Sequence, residues 1–398
     1  MERGFVYACV VQFLLGLSWT MINILLVIYA GSFEAPSLLG ILWSIIGVSR
    51  LLAETPGGIL VDRMGSRVVV LSGLAGVTVS YIQYARALTS TDVLVASALA
   101  GAGFSVTHIG LLVQATDLTP PGERARYMGI LNGSMMAPNI LGPLIGGLIA
   151  EHFQVRAVFI ASTLTAAVAL VISIFTVRDA KKTRGQFEGT ASTVLQDYLA
   201  FIKNKVYLVL FLVSFCSALV VWSLGAIVFP TYGRSVLSLT IAEIGLLISL
   251  HSVVLFLNQF FLSGIMEKHV SRRRLVALGL TIYGAAACTI TILSDFISLA
   301  AAFIVLGIGL GTINPSLEAI WIDITRPEDR GRVFGLRIAF FDFGQVFFSA
   351  VLPLLMILNP RLPFYAIALG AISSVVLLHL TVQKPQTGGR MDRESHQR

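Results

Sequence analysis

A few charged side chains lie where charge is expensive, inside long apolar runs of the sequence. Arg50 and Glu54 are four residues apart, so on a helix they share a face and can pair. Arg50 is eleven residues from Val61, which at a helical rise of about 1.5 Å puts it roughly 17 Å deep in a spanning helix. Asp342 is about 14 Å into its own run by the same rise, and Arg337 is nearer the start. Those two are five apart and point to different faces. Asn314 and Glu318 share a face of a third run, with Pro315 expected to disturb the turn between them. Charge at such depth must face protein or water rather than lipid. Arg50, Glu54, Asp342, Arg337, Glu318 and Asn314 are therefore candidates for moving a solute and a coupled proton, since protonating Glu54 or Asp342 would release a partner. The alternative reading is a set of structural ion pairs.

Uncharged polar and aromatic residues in the same kind of run are cavity candidates: Trp19, Asn23, His108, Gln114, Trp222, His251, Asn258, Gln259 and Gln345. Each also reads as an interhelical hydrogen bond. His108 and His251 are not at metal-ligand spacing, so no metal or other cofactor is expected. Cys9, Cys216 and Cys288 fall inside apolar runs and read as small packing residues.

These residues need a membrane-spanning frame. Mean hydropathy is +0.85 and only 12% of the 398 residues are charged, against about a quarter in soluble domains. The apolar runs are too long and too poorly alternating for barrel strands, so each must satisfy its backbone hydrogen bonds as a helix. Twelve spans are expected, at 5–29, 37–61, 68–87, 92–116, 127–150, 156–177, 206–230, 240–265, 274–294, 297–322, 333–358 and 362–382. The first is too long for a signal-peptide core and reads as a helix. Of the 28 Lys and Arg, 22 fall on the connections and tails of one side, while Arg86, Arg156, Arg234 and Arg361 fall on the other. This asymmetry predicts both termini in the cytoplasm of a multi-pass protein of the cell membrane. The net charge of +7 follows from topology and implies no nucleic acid.

The longest polar interval, 178–205, divides the chain into a six-helix bundle at 1–178 and another at 206–383. The linker itself, 179–205, carries Val194, Leu195, Tyr198, Leu199 and Ile202 on one helical face, which predicts a short helix on the membrane surface. Residues 384–398 form a polar tail expected to be disordered. The halves repeat at an offset of 205–206: Asp117, Thr119, Pro121, Glu123, Arg124, Arg126 and Gly129 return as Asp323, Thr325, Pro327, Asp329, Arg330, Arg332 and Gly335. Six spans per half make these parallel repeats about an axis along the membrane normal. Glu54 aligns with Gln259, so the Arg50–Glu54 pair has no copy in the second half.

Between the second and third spans the chain reads Gly58, Asp62, Arg63, Gly65, Ser66, Arg67. This resembles the signature loop of the major facilitator superfamily, with Ser66 where a basic residue is commoner. A degenerate copy runs through Glu267, Val270 and Arg272. The resemblance covers essentially the whole chain and implies two six-helix bundles around a cavity that opens alternately to each side. Physically, Gly65 permits a tight turn and Gly58 a close helix approach. Arg63 and Arg67 also read as topology determinants alone. The family implies that Arg67 pairs with Asp117 when the cytoplasmic side is closed, with Asp62 near Gly331–Phe334 and a weaker Arg272–Asp323 copy. The fifth span, with Gly129, Pro138, Gly142, Pro143, Gly146 and Gly147, is similar to the signature of drug-exporting members, except that Pro138 replaces a glycine. Another exporter mark, an arginine in the fourth span, is Ser97 here.

The leading expectation is a secondary transporter of a small organic solute, proton-coupled and working by alternating access as a monomer in the bilayer. A multidrug efflux antiporter is the alternative within transport. The rival class is an intramembrane enzyme or receptor-like sensor, but no reactive constellation of side chains and no nucleotide-binding loop is present in the sequence.

Overall fold

The computed structural model describes residues 3–31, 36–120, 123–177, 198–326 and 329–381. Twelve long helices follow one another: α1 (Arg3–Gly31), α2 (Pro36–Met64), α3 (Ser66–Arg86), α4 (Ser90–Asp117), α5 (Arg124–Phe153) and α6 (Val155–Thr176). The second six are α7 (Lys205–Ser235), α8 (Ile241–Met266), α9 (Arg272–Ile290), α10 (Phe296–Ile324), α11 (Arg330–Leu358) and α12 (Leu362–Thr381). Among the described residues, eleven of these helices are long and apolar enough to cross a membrane. The other is α2, whose 29 residues extend about 43 Å. The expected spans match these helices to within five residues, the largest difference being the far end of α7, which runs to Ser235. Of the expected surface helix, 194–197 lie outside the described residues and 198–203 are helical. The tail 384–398 also lies outside them.

Helix ends follow local chemistry. Thr89 and Asp92 cap α4 reciprocally, Thr240 and Glu243 do so for α8, and Asp295 caps α10. Hydrogen bonds from Ser298 hold the Asp295 carboxyl below the usual range. Gly65 alone separates α2 from α3, at φ 88°, a conformation that glycine adopts without steric cost. Its counterpart is Val270, and the α8–α9 connection there takes five residues, 267–271, instead of one. Pro138, Pro143 and Pro315 sit inside continuous helices, so Pro315 does not break α10.

Packing repeats with the sequence. In the first half α1 packs on α5 and α6, α4 on α2 and α3, and α3 on α6. The second half pairs α7 with α11 and α12, α10 with α8 and α9, and α9 with α12. Each pair is its counterpart shifted by six helices, which is the parallel repeat. The same small residues permit it: a Cβ on Gly103 would lie 2.9 Å from the Gly73 carbonyl oxygen, and one on Gly309 would lie 3.0 Å from that of Gly279.

Between halves, α5 packs on α8 and α2 on α11. A shared buried cluster joins Met21, Ile24, Leu25 and Ala150 to the second half. We call the end that carries the α2–α3 turn and the start of α7 the basic end. At the opposite end the halves press together: a Cβ on Gly245 would lie 2.3 Å from the Pro143 carbonyl oxygen, and Glu151 accepts a bond from the Ile241 amide at 3.2 Å. Toward the basic end, a Cβ on Gly129, Gly133 or Gly335 would meet nothing within 4 Å. The halves are closed away from the basic end, and toward it these three glycines face open space.

Candidate functional site

The deepest charges gather where α2 meets α11. One turn of helix sets Arg50 Nη2 3.8 Å from Glu54 Oε1, with side chains 23% and 29% exposed. The Arg50 guanidinium lies 5.9 Å from the centre of the Phe104 ring on α4, so it is covered by protein rather than turned to lipid. Asp342 of α11 lies near enough to Arg50 and Glu54 for their charges to act on it. Ser44 fastens the interface further along, donating to the Val346 carbonyl at 3.3 Å. Two carboxylates and one guanidinium therefore share a contact between the halves.

Arg337 is not part of this set. Both its terminal nitrogens reach the carboxylate of Glu318 on α10, and its guanidinium lies 5.5 Å from the Phe334 ring centre. Arg337 and Asp342, five residues apart, point to different faces of α11: the long Arg337 side chain reaches across to Glu318, while Asp342 lies on the α2 contact.

A central cavity of about 270 Å³ lies between the halves. Its walls include Thr20 and Asn23 from α1, Asn139 from α5, Trp222 and Gly225 from α7, His251 and Ser252 from α8, Tyr283 from α9, and Phe303 and Asn314 from α10. No Asp, Glu, Lys or Arg lines it among the described residues. Buried Trp222 Nε1 and His251 Nε2 have no hydrogen-bond partner among the described residues. Next to Trp222, α7 widens into a π turn at Leu224–Val228, and three of its residues line the cavity. Pro230 explains the position, because its ring would collide with the carbonyl of Ala226 in a regular turn.

Asn23, Trp222, His251 and Asn314 are thus brought together, and the remaining cavity candidates lie outside the lining. Trp19 is buried between Trp43 and Phe104. His108 accepts at Nδ1 from the Gln12 amide at 2.8 Å. Asn258 ties α8 to α10 through the Ile308 carbonyl at 2.6 Å and the Thr312 hydroxyl at 2.9 Å. Gln114, Gln259 and Gln345 each bury a side-chain atom without a partner among the described residues. A polar side chain on an apolar helix can serve a neighbouring helix as readily as an opening, as Asn258 and His108 do here. Sequence reasoning missed Thr20, Asn139, Ser252 and Tyr283, which are common residues in such helices. It also missed the π turn, for which Pro230 was a usable signal.

The cavity and the charges are joined by rings. Trp222 meets Trp43 edge-on at 5.7 Å, Trp43 meets Trp19 at 6.5 Å, and Trp19 meets Phe104 at 5.1 Å, beneath Arg50.

At the basic end, no Arg67–Asp117 ion pair is found among the described residues. Arg67 instead donates to the Ile174 carbonyl at 3.0 Å. That pair was expected for the state closed at this end. Arg272, expected to make the weaker copy, bonds both Asp323 and Glu267. The longer α8–α9 connection, which brings Glu267 alongside, accounts for the reversal. The environments of Gly58, Asp62 and Gly331 lie outside the described residues, and Arg63 is exposed.

Two six-helix bundles closed at one end, with a cavity between them and buried charge on their interface, define a membrane carrier. The family model of the Major Facilitator Superfamily matches residues 8–242 and 210–396, and the chain belongs to that family of transporters. It is similar to Multidrug resistance protein 2 of Bacillus subtilis (strain 168), with 25% identity over 334 residues and 82% of each chain covered. It is also similar to the class B Tetracycline resistance protein of Escherichia coli, 25% identical over 396 residues and 94% of each chain. Among solved structures, the nucleoside transporter NupG superposes with a TM-score of 0.79 at 12% identity, covering 96% of this chain and 100% of that one. A D-xylose-proton symporter gives 0.77 at 14% identity, covering 94% and 96%.

Proposed function

We infer that this transporter carries a small, uncharged, aromatic organic solute in exchange for or together with protons, with both termini in the cytoplasm. The observation that carries the reading is the Arg50, Glu54 and Asp342 set on the α2–α11 contact. Alternating access must remake that contact, so the balance between desolvation and the Arg50 charge changes from state to state, and with it the affinity of the carboxylates for protons. A difference in proton affinity between states is what coupling requires. The solute class follows from the lining: Trp222, Tyr283 and Phe303 offer ring faces, and Asn23, Asn139, Asn314 and His251 offer hydrogen bonds. An ionised solute would lose its hydration there without a countercharge. The Lys and Arg asymmetry supports the orientation.

Proteoliposomes with an imposed pH gradient test the reading. Uncharged heteroaromatic amides should accumulate, and analogues carrying an added carboxylate or ammonium group should not. Accumulation that ignores the pH gradient would exclude the coupling, and preference for the charged analogues would exclude the solute class. Efflux of drugs is a second reading, favoured by the small-residue face of α5 that meets α1 and α8. Everted vesicles, in which an exporter loads the lumen, separate the directions.

Gly225 gives a clean test of the cavity. A Cβ there meets nothing within 4 Å, so Gly225→Leu fits the fold and fills the solute space. Leucine adds four carbons where a single methylene already changes binding roughly 10–200-fold, so binding should weaken by at least about tenfold. The melting temperature without solute should stay near that of the wild type. Unchanged binding would place the solute elsewhere.

A further inference from the structure

A second opening lies at the basic end, a groove of about 540 Å³ between α9 and α12. Arg273, Arg274 and His379 stand at its mouth, and Ala277, Leu278 and Thr281 along its wall; no carboxylate lines it among the described residues. The groove exists because the two helices diverge toward this end. Deeper in the membrane Gly284 draws them together, where a Cβ would lie 3.3 Å from Cβ of Ala371. Eight residues separate Arg273 from Thr281, so the wall runs about 12 Å inward from the charged mouth.

The duplicated half supplies an internal control. At an offset of 205, Arg67 corresponds to Arg272, but Val68, Val69 and Ile174 stand where the second half has Arg273, Arg274 and His379. A topological demand for positive charge acts on both halves and does not explain charge at this groove in one half only. Arg272 is turned away onto Glu267 and Asp323, a separate contact.

We propose that this groove holds one anionic phospholipid of the leaflet at the basic end. Its phosphate sits on Arg273 and Arg274, and the upper part of an acyl chain lies along Ala277, Leu278 and Thr281. A planar guanidinium matches phosphate oxygens with paired donors. Leu278 is 50% exposed on a helix that faces lipid, so the wall continues the hydrocarbon into which the chain descends. A free anion would use the mouth and leave the wall without purpose. Basic pockets between helices near the cytoplasmic surface select lipid head groups on the same grounds.

The purified full-length chain in an uncharged detergent is titrated with dioleoylphosphatidylglycerol, dioleoylphosphatidylcholine or inorganic phosphate while thermal unfolding is followed. Phosphatidylglycerol is expected to raise the unfolding temperature where the other two do not. Arg273→Gln with Arg274→Gln should weaken that response by roughly thirty-fold, from the contribution of each basic side chain near an anionic surface. Thr281→Trp keeps both arginines and fills the groove, and it should also weaken the response, so a double variant that folds poorly does not shield the proposal. An equal response to phosphatidylcholine, a full response to inorganic phosphate, or an unchanged titration in Thr281→Trp would overturn it. The outcome is independent of which solute the central cavity carries.

Discussion

Glu54→Gln is expected to abolish uphill transport driven by a pH gradient while solute binding survives. The carboxylate pairs with Arg50 one turn away and is near enough to Asp342 of the other half to act on it, and the proposed coupling makes it the acid through which both halves sense a proton. Amide replacement keeps the shape and removes the ionisation. With one proton moved per solute, the accumulation lost is about tenfold for each pH unit imposed across the membrane. Asp342→Asn should have the same effect through the same contact, and the double variant should be little worse than either single one, because the residues act as a unit. Downhill exchange of labelled solute should persist in all three. If both single variants accumulate solute with unchanged pH dependence, the charges hold the halves together and the coupling site is elsewhere.

Gly245→Val should shift the resting state of the transporter. Its Cβ would fall 2.3 Å from the carbonyl oxygen of Pro143, a backbone atom that cannot turn aside. Overpacking of this kind costs about 1–3 kcal/mol. The contact is made where the halves close away from the basic end, so the cost falls on this state and is relieved when that end opens. The equilibrium should move by roughly 5–150-fold toward the alternative state. Cysteines placed at Glu151 and Ala242, one on each side of the α5–α8 contact, would report it as slower cross-linking in the valine variant. Gly264→Val is the control, since a Cβ there meets nothing within 4 Å and α8 otherwise remains the same. Equal cross-linking in both variants would mean that the α5–α8 contact does not hold this end closed.

The twelve helices, their order and their repeat are legible in the chain itself, and the reasons are local. Hydrocarbon thickness sets a minimum length for each apolar run, and a run must bond its own backbone wherever it goes. Arg50 and Glu54 are legible for the same reason, being one helical turn apart. Gly65 is legible because a one-residue turn at positive φ has few other solutions.

Pairings between distant residues are not readable in that way. Glu318 takes Arg337, nineteen positions on, and Arg272 takes Asp323 across 51, because the helix faces that meet depend on how whole helices pack. The cavity needs more still: Trp222, His251, Asn23 and Asn314 face one space, while Trp19, His108 and Gln345, equally polar or aromatic and in equally apolar helices, do not line it. Hydropathy records the depth of a side chain in the membrane and not its direction around the helix, which here is weakly marked because lipid and core are both apolar. Depth and pairing within one turn belong to the sequence. Direction, and with it the meeting of Asp342 with Arg50 and Glu54, comes only from the packing of α2 against α11.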